Sequence, residues 1–240
     1  MVLYLTSSPC VVGADRALIN TDNSFLSNLQ SDMPAEIRCL YIASSPDEPH
    51  LNRRYSADMV DAFREANIPF AEMKILQRDT MDRAEEMVGW SNFVILAGGH
   101  VPTQNLFFRQ LKLWNLLRDY PGVIMGISAG TMNCAAMVYA QPELPGESID
   151  PNYRRFLPGI GLTYLNILPH YQQVKDDILD GKRLYEDVTY PDSFGHSFLV
   201  LPDGSYVRVC NGQSQLFGEA YSLEDGQMRC ICKNKEDLIL

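Results

Sequence analysis

The stretch VIMGISAGTMN, residues 123–133, holds a serine between two glycines directly behind a short apolar run. The apolar residues 123–125 predict a buried strand, and residues 129–138 predict a helix. A G-x-S-x-G turn between a strand and a helix projects its serine hydroxyl clear of the sheet, and Gly126 and Gly130 lack side chains that would collide in that turn. Ser128 is therefore a candidate nucleophile. An ordinary structural turn is the alternative.

Strand-like and helix-like patterns alternate before and through this stretch. Strands are predicted at residues 2–5, 37–42, 70–76, 93–96 and 123–125. Helices are predicted where Tyr55, Met59 and Phe63 recur, at residues 81–88, and from Pro102 onward with Phe107, Leu111, Trp114 and Leu117 as its buried stripe. This alternation indicates an α/β fold with a doubly wound, mostly parallel sheet and helices on both faces.

The pattern changes after about residue 139. A loop rich in proline, glycine and acidic residues leads to a helix predicted near residues 173–185. Farther on, the pairs Asp203-Gly204, Asn211-Gly212 and Asp225-Gly226 are typical of hairpins and predict an antiparallel C-terminal edge. No linker or repeat divides the chain, so residues 1–240 are expected to form a single domain.

Composition excludes several classes of partner. A formal net charge of −10 argues against nucleic acid and anionic membranes as partners. No run approaches the length of a membrane span, and the N-terminal segment is too short for a signal peptide, so a cytoplasmic location is expected.

The six cysteines lack metal or disulfide spacing and are expected to be reduced thiols, with no metal and no cofactor. The oligomeric state stays open, with a homodimer as one option.

A serine nucleophile needs donors for the oxyanion that its attack creates. The backbone N–H of Ala129, at the start of the predicted helix, is one candidate. The pair Gly98-Gly99 follows the preceding predicted strand, and loops after parallel strands meet at one edge of a sheet. A glycine N–H from that loop is therefore the second candidate, against a turn of no catalytic interest.

The serine also needs a base, and the chain has only four histidines. His50 lies in a polar loop and His196 begins a late strand, so both are expected to be structural or solvated. His100 adjoins the glycine pair and is a candidate for binding substrate. His170 ends the apolar segment 165–169 where a strand meets a loop, which makes it the candidate base, against a purely structural histidine.

Together, GISAG at residues 126–130, the Gly98-Gly99 loop and the segment LPHY at 168–171 resemble the dipeptidase E and cyanophycinase family of serine peptidases. That family is similar to class I glutamine amidotransferases, with serine in place of their cysteine. The resemblance implies an amidotransferase-like fold, Ser128 as nucleophile and His170 as general base. It also implies an oxyanion hole from Ala129 with Gly98 or Gly99, and a small peptide as substrate.

The resemblance leaves the third catalytic residue open. Glu143 is the candidate that the family pattern favours slightly, and Asp203 is the competitor. In either case the carboxylate should bind the far nitrogen of the histidine and fix its tautomer.

Substrate identity is not inherited either, because His100 replaces the asparagine of the family's glycine loop. Family members prefer acidic, aspartyl-type substrates, which would need a cation in the pocket. Arg154, Arg155, Lys175 and Arg183 are the candidates, with solvated surface charges as the alternative.

The resulting hypothesis is a serine hydrolase that cleaves a small peptide or amide through an acyl-enzyme. One alternative is an amidotransferase-like protein, although Cys134 is predicted to face away from the site. Another is a catalytically silent binding protein, favoured by His100 in the glycine loop. An α/β-hydrolase is the second choice of fold, because it shares the serine turn.

Overall fold

A computed structural model describes all 240 residues. The strands, in chain order, are β1 (Val2–Thr6), β2 (Ile37–Ile42), β3 (Phe70–Leu76), β4 (Phe93–Leu96), β5 (Val123–Ile127), β6 (Met137–Tyr139), β7 (Phe156–Pro158), β8 (Ile167–Leu168), β9 (Ile178–Leu179), β10 (Lys182–Arg183), β11 (Ser197–Val200), β12 (Tyr206–Cys210), β13 (Gln213–Phe217), β14 (Ala220–Glu224), β15 (Gln227–Cys232) and β16 (Asp237–Ile239). The α-helices are α1 (Phe25–Asp32), α2 (Pro49–Glu65), α3 (Ala84–Trp90), α4 (Val101–Gln110), α5 (Leu113–Leu117), α6 (Ala129–Asn133), α7 (Tyr171–Val174) and α8 (Tyr190–Asp192). Short 3-10 segments cover Asp22–Ser24 and Arg78–Arg83, and a π-helical segment covers Leu184–Thr189.

The central sheet has eight strands in the order β16-β13-β12-β1-β5-β4-β2-β3. The five strands from β1 to β3 in that order are parallel, and β12, β13 and β16 extend the sheet with antiparallel pairing. The predicted mostly parallel sheet with an antiparallel C-terminal edge is therefore confirmed. A second sheet, in the order β15-β14-β11-β8, packs beside it and carries part of the site described below.

Alternate residues of the parallel strands face opposite sides of the sheet. Leu40, Ile42 and Val94 face a core that includes residues of α3, α4 and α5. Cys39 and Tyr41 face a second core that includes residues of α1 and α2. Burial on both faces explains the unbroken apolar run of β4, because neither side of that strand meets water. Helices therefore cover both faces, as predicted.

Two of the three predicted hairpins form. Asn211 and Gly212 both have positive φ (52° and 77°) between β12 and β13, and Asp225 and Gly226 do the same (48° and 71°) between β14 and β15. Positive φ at both central residues is the geometry that two-residue hairpin turns favour. The prediction for Asp203-Gly204 was wrong: that turn joins β11 of the second sheet to β12 of the central sheet, and the two strands do not pair.

Three helix predictions also need correction. The helix after the serine turn ends at Asn133, and residues 137–139 form β6. The helix from Pro102 breaks at Lys112, whose φ is 50°, and Trp114 on α5 is 42% exposed instead of buried. The helix expected near residues 173–185 is replaced by α7, the β9–β10 hairpin and the start of the π-helical segment. Apolar spacing gave no signal for these backbone reversals.

No helix combines the length and the apolar character that crossing a bilayer requires. No cluster of three or more histidine, cysteine or acidic side chains is arranged to hold a metal ion. All six cysteines are free thiols.

Candidate active site

Ser128 occupies a strained turn between β5 and α6. Its backbone has φ 50° and ψ −111°, a conformation that non-glycine residues rarely adopt. The turn is tied to the end of β1, because the Ser128 N–H donates to the carbonyl of Thr6 (3.1 Å) and the Thr131 hydroxyl donates to the same carbonyl (2.8 Å). The surrounding structure thus fixes the side chain at the carboxyl end of the central sheet.

The two glycines of the motif are required by close backbone contacts. A Cβ on Gly126 would lie 2.8 Å from the backbone nitrogen of Thr131. A Cβ on Gly130 would overlap the carbonyl oxygen of Leu96, the last residue of β4. These contacts let α6 start directly against the end of the sheet. They explain G-x-S-x-G in this chain by packing as well as by turn geometry.

The Gly98-Gly99 loop lies beside the serine. A Cβ added to Gly98 would be 3.5 Å from the Cβ of Ser128, and Gly99 has φ 155° with no space for a side chain against Ser44. The N–H groups of both glycines make no backbone hydrogen bond. As the first residue of α6, Ala129 has an N–H with no acceptor one turn earlier. Free amide donors are therefore available around Ser128.

His170 reaches the same region from the second sheet. It follows β8, which pairs in parallel with β11 through Leu168 and Val200. Because the ends of adjacent parallel strands lie side by side, the loop after β8 meets the loop after β11, which contains Asp203. His170 itself has φ 59° and ψ 27°, a left-handed conformation at the start of α7.

The imidazole of His170 is bound to a buried carboxylate. His170 Nδ1 lies 2.7 Å from Asp203 Oδ1, and the Asp203 side chain is 2% exposed. An ionised carboxylate only accepts hydrogen bonds, so Nδ1 donates and Nε2 of the neutral ring keeps its lone pair. Asp203 therefore fixes the tautomer that a general base needs.

Several further contacts hold the Asp203 carboxylate. The Ser7 hydroxyl donates to Asp203 Oδ1 (2.6 Å) and accepts from the His170 N–H (2.8 Å), while the Gln173 amide donates to Oδ2. Burial alone would raise the pKa of Asp203. The hydrogen bond and charge of His170 outweigh it, with help from Ser7 and Gln172, and the net pKa lies below its ordinary value.

Ser128, His170, Gly98 and Gly99 line one cavity of about 510 Å³. Its remaining lining residues are Ser8, Ala17, Tyr41, Ser44, Ser45, Leu51, Tyr55, Asp58, Met59 and Ile127. The loops after β1, β2, β4 and β5 form one wall, as expected for a site at the carboxyl edge of a parallel sheet, and α2 forms another. The structure thus brings together the sequence candidates for nucleophile, base and oxyanion donors.

The preference for Glu143 as the third catalytic residue is not supported, because no hydrogen bond joins it to His170. Its backbone N–H donates to Glu147 (2.8 Å), and its carboxyl lies near Glu147 and the backbone of Val101. The residue as a whole is exposed, but desolvation of the carboxyl and the charge of Glu147 raise its pKa to about 7. Asp203, the competing candidate, holds the position next to the imidazole.

His100 does not line the cavity, so its predicted contact with substrate gains no support from the lining. Its ring is held between the Thr103 hydroxyl (2.7 Å) and Glu147 (2.8 Å) at the start of α4. Of the other histidines, His50 contacts Arg53 at the surface, and His196 stacks on Phe156. The feature that favoured a silent binding protein is therefore outside the site.

None of the four predicted cations lines the cavity either. Arg155 binds Asp192 (2.7 Å) and Arg183 binds Asp187 (2.6 Å), while Arg154 and Lys175 are exposed. The cavity has one acidic side chain, Asp58, and no arginine or lysine.

Cys134 cannot replace the serine. It is fully buried, and its thiol contacts the carbonyl of Gly130 at 3.2 Å. Burial raises its pKa well above the ordinary value, so the reactive thiolate is disfavoured. This argues against the cysteine chemistry of a glutaminase.

Sequence reasoning missed the residues that complete the site. Ser7 had one available signal, the change from apolar to polar residues at the end of the first strand, which places hydroxyls at the active edge of the sheet. Tyr55 and Met59 were assigned to a helix only by their spacing. Nothing local indicated that one face of α2 would line a cavity.

Comparisons with known proteins agree with this geometry. The chain is similar to a peptidase from an acI-B1 Actinobacterium, whose crystal structure superposes with a TM-score of 0.69 at 16% identity, covering 100% of this chain and 96% of the other. It is also similar to a peptidase E-type protein of Listeria monocytogenes EGD-e, with a TM-score of 0.54 at 12% identity, covering 95% and 96%. A search of curated proteins returned no match.

At such identities the two structures establish the fold alone, an α/β architecture with a mostly parallel central sheet. The family itself follows from the sequence profile of peptidase family S51, which matches residues 18–217. This match covers the serine turn, His170 and Asp203, and accordingly the chain belongs to peptidase family S51.

Proposed function

We propose that this peptidase is of the serine type and cleaves small peptides or amides through an acyl-enzyme on Ser128. The observation that carries the proposal is the shared cavity: a serine in a strained turn and a histidine bound to a buried carboxylate line the same space. A serine hydroxyl is a weak nucleophile without a base, and a correctly oriented imidazole is the usual base.

In the first half of the reaction, Ser128 Oγ attacks the scissile carbonyl and its proton passes to His170 Nε2. Asp203, bound at Nδ1, stabilises the imidazolium that forms. The free N–H groups of Ala129 and of Gly98 or Gly99 would bind the oxygen that becomes negative. His170 then gives the proton to the leaving amine, which departs and leaves the acyl group as an ester on Ser128.

In the second half, a water molecule takes the place of the amine. His170 accepts a proton from this water, whose oxygen attacks the ester carbonyl, and the same N–H donors bind the second oxyanion. Collapse of the intermediate releases the carboxylic acid, and the proton returns to Ser128 Oγ. Both halves use the same three side chains, so loss of any of them should impair the whole cycle.

A fluorophosphonate probe tests the proposal directly. It should modify Ser128, identified by peptide mass spectrometry, and the variant Ser128→Ala should lose the label. Ser8→Ala is the matched control, since Ser8 lines the same cavity but lies outside the strained turn. Labelling of Ser128→Ala at an undiminished rate would place the nucleophile elsewhere and contradict the proposal.

A further inference from the structure

The electrostatics of the cavity differ from what an acidic substrate requires. Its lining contains one carboxylate, Asp58, one histidine and no lysine or arginine. A substrate aspartate would therefore meet a like charge and find no permanent cation to pair with. A substrate cation would meet the opposite charge.

Asp58 is available to a ligand because it has no partner within the chain. It makes no hydrogen bond and no ion pair, in contrast to Asp61 one turn farther along α2, which binds Arg64 at 2.6 Å. Arg54, four residues earlier on α2, stacks on the Tyr55 ring at 5.1 Å and is not part of the lining.

The position of Asp58 is set by the helical repeat. Leu51, Tyr55, Asp58 and Met59 stand on one face of α2, spaced at four, seven and eight residues from the first, and all four line the cavity. The charge of Asp58 also reaches Tyr41. Burial is the main cause of the raised pKa of Tyr41, and the charges of Tyr55 and Asp58 add to it. The carboxylate is thus part of the cavity and close to its aromatic surface.

The remaining surface of this wall suits an aliphatic chain with a charged end. Leu51, Met59 and Ala17 offer apolar contacts, and Tyr41 and Tyr55 add aromatic rings to the lining of the same cavity. Lysine and arginine side chains combine an apolar stem with a cationic head, and aromatic rings add to the attraction of such cations.

We infer that Asp58 is a specificity-determining residue that selects a peptide with a lysine or arginine side chain on the residue whose carbonyl is attacked. This inference rests on the proposed function, because it assigns the group bound beside Ser128. It departs from the acidic preference that the family resemblance implied.

Matched dipeptides test the inference. Three substrates share a C-terminal leucine and carry lysine, norleucine or aspartate first; norleucine has the stem of lysine without its ammonium group. For the wild-type protein, kcat/KM should be about tenfold or more higher for the lysyl than for the norleucyl dipeptide, and lowest for the aspartyl one. Released leucine, measured by mass spectrometry, gives the rates.

The variants Asp58→Asn and Asp58→Lys identify the group responsible. The ratio of kcat/KM for the lysyl over the norleucyl dipeptide should fall to near one in Asp58→Asn, and Asp58→Lys should favour the aspartyl dipeptide. Asp61→Asn is the matched control on the same helix and should keep the wild-type ratio. A ratio near one in the wild-type protein, or one unchanged in Asp58→Asn, would overturn the inference.

An equal loss on all three dipeptides in Asp58→Asn would also overturn it, since Asp58 would then bind the α-ammonium group that they share. Failure of the proposed function is distinguishable. If the probe does not label Ser128, both proposals fail. If it labels Ser128 while the lysyl dipeptide is not preferred, only the assignment of Asp58 fails.

Discussion

Two carboxylates with largely enclosed side chains, Asp203 and Asp32, have similar surroundings but partners of different chemistry. Asp203 binds the Ser7 hydroxyl and His170, while Asp32, at the end of α1, binds the Tyr4 hydroxyl and Arg208. In each case a hydroxyl from β1 or the residue after it tethers the carboxylate. In each case a cation or potential cation lowers the carboxyl pKa although burial alone would raise it.

The difference lies in the third partner and in access to solvent. Arg208 is permanently charged and donates two hydrogen bonds of 2.7 Å to Asp32. This pairing suits a structural link between α1 and β12. His170 can take up and release a proton, and it lines a cavity. An enclosed ion pair is thus a candidate for chemistry only when one partner can exchange a proton and faces a space for substrate.

The largest expected effect is on activity at the Asp203 pair. Asp203→Asn should lower kcat/KM by on the order of 10³-fold or more, because the neutral side chain no longer stabilises the imidazolium and no longer enforces the tautomer. Steady-state kinetics on any cleaved dipeptide measure this. Glu143→Gln is the matched control and should stay within about threefold of wild type. A loss in Glu143→Gln as large as in Asp203→Asn would contradict the assignment of the acid.

The next effect is on stability at the Asp32 pair. Asp32→Asn should lower the free energy of unfolding by about 3 kcal/mol, since it leaves a half-buried guanidinium without its counter-charge. Chemical denaturation measures this loss. The kcat of the folded fraction should remain that of wild type. An Asp32→Asn variant that is fully stable but inactive would reverse the roles given to the two pairs.

A smaller effect is expected at the Ser7 hydroxyl, which binds both Asp203 and His170. Ser7→Ala removes the donor to Asp203 and the acceptor for the His170 N–H. We expect kcat to fall by about tenfold and the free energy of unfolding by about 1 kcal/mol, because the imidazole is held less firmly but its carboxylate partner remains. A KM effect with unchanged kcat would instead indicate that Ser7 contacts substrate.

The smallest effect is a difference in pH dependence. The pKa of Asp32 is lower in the folded than in the unfolded protein, so its stabilisation is present above the unfolded value of about 3.9 and is lost as the pH falls through the folded value. The stability gap between wild type and Asp32→Asn should therefore stay constant at neutral pH and shrink below about pH 4. Denaturation curves at several pH values measure the gap.

As the pH is lowered, activity should begin to fall at a higher pH than the one at which this stability gap begins to shrink. Histidine as a residue type changes charge between about pH 5 and 8, and a protonated imidazole cannot accept the proton of Ser128. Loss of activity while the fold is still fully stable is the expected order. Activity that persists until the protein unfolds in acid would contradict a catalytic role for His170.

Local sequence patterns predicted much of the fold because their causes are local. The β4 run of four apolar residues predicts its own burial, and Asn211-Gly212 adopts the positive φ values that a hairpin turn needs. The helix predictions failed where a single residue reverses the chain, as at Lys112 with φ 50°. Neither hydrophobic spacing nor composition marks such a position.

The site, too, was predictable only where neighbouring residues along the chain determine it. Gly126, Ser128 and Gly130 lie within five residues, so their spacing alone indicated a turn that exposes the hydroxyl. His170 could be selected because few histidines end an apolar segment. The choice between Glu143 and Asp203 could not be made in this way, since both are acidic residues in polar loops.

By itself, then, the sequence determined an α/β sheet, a serine turn at its edge and a short list of partners, because these depend on neighbours along the chain. Only the tertiary structure decided that Asp203 binds His170, 33 residues away. The parallel pairing of β8 with β11 brings their following loops together, and strand pairing is not encoded at either residue. The same holds for Asp58, which becomes a cavity residue because α2 packs against the central sheet and presents part of its surface to the cavity.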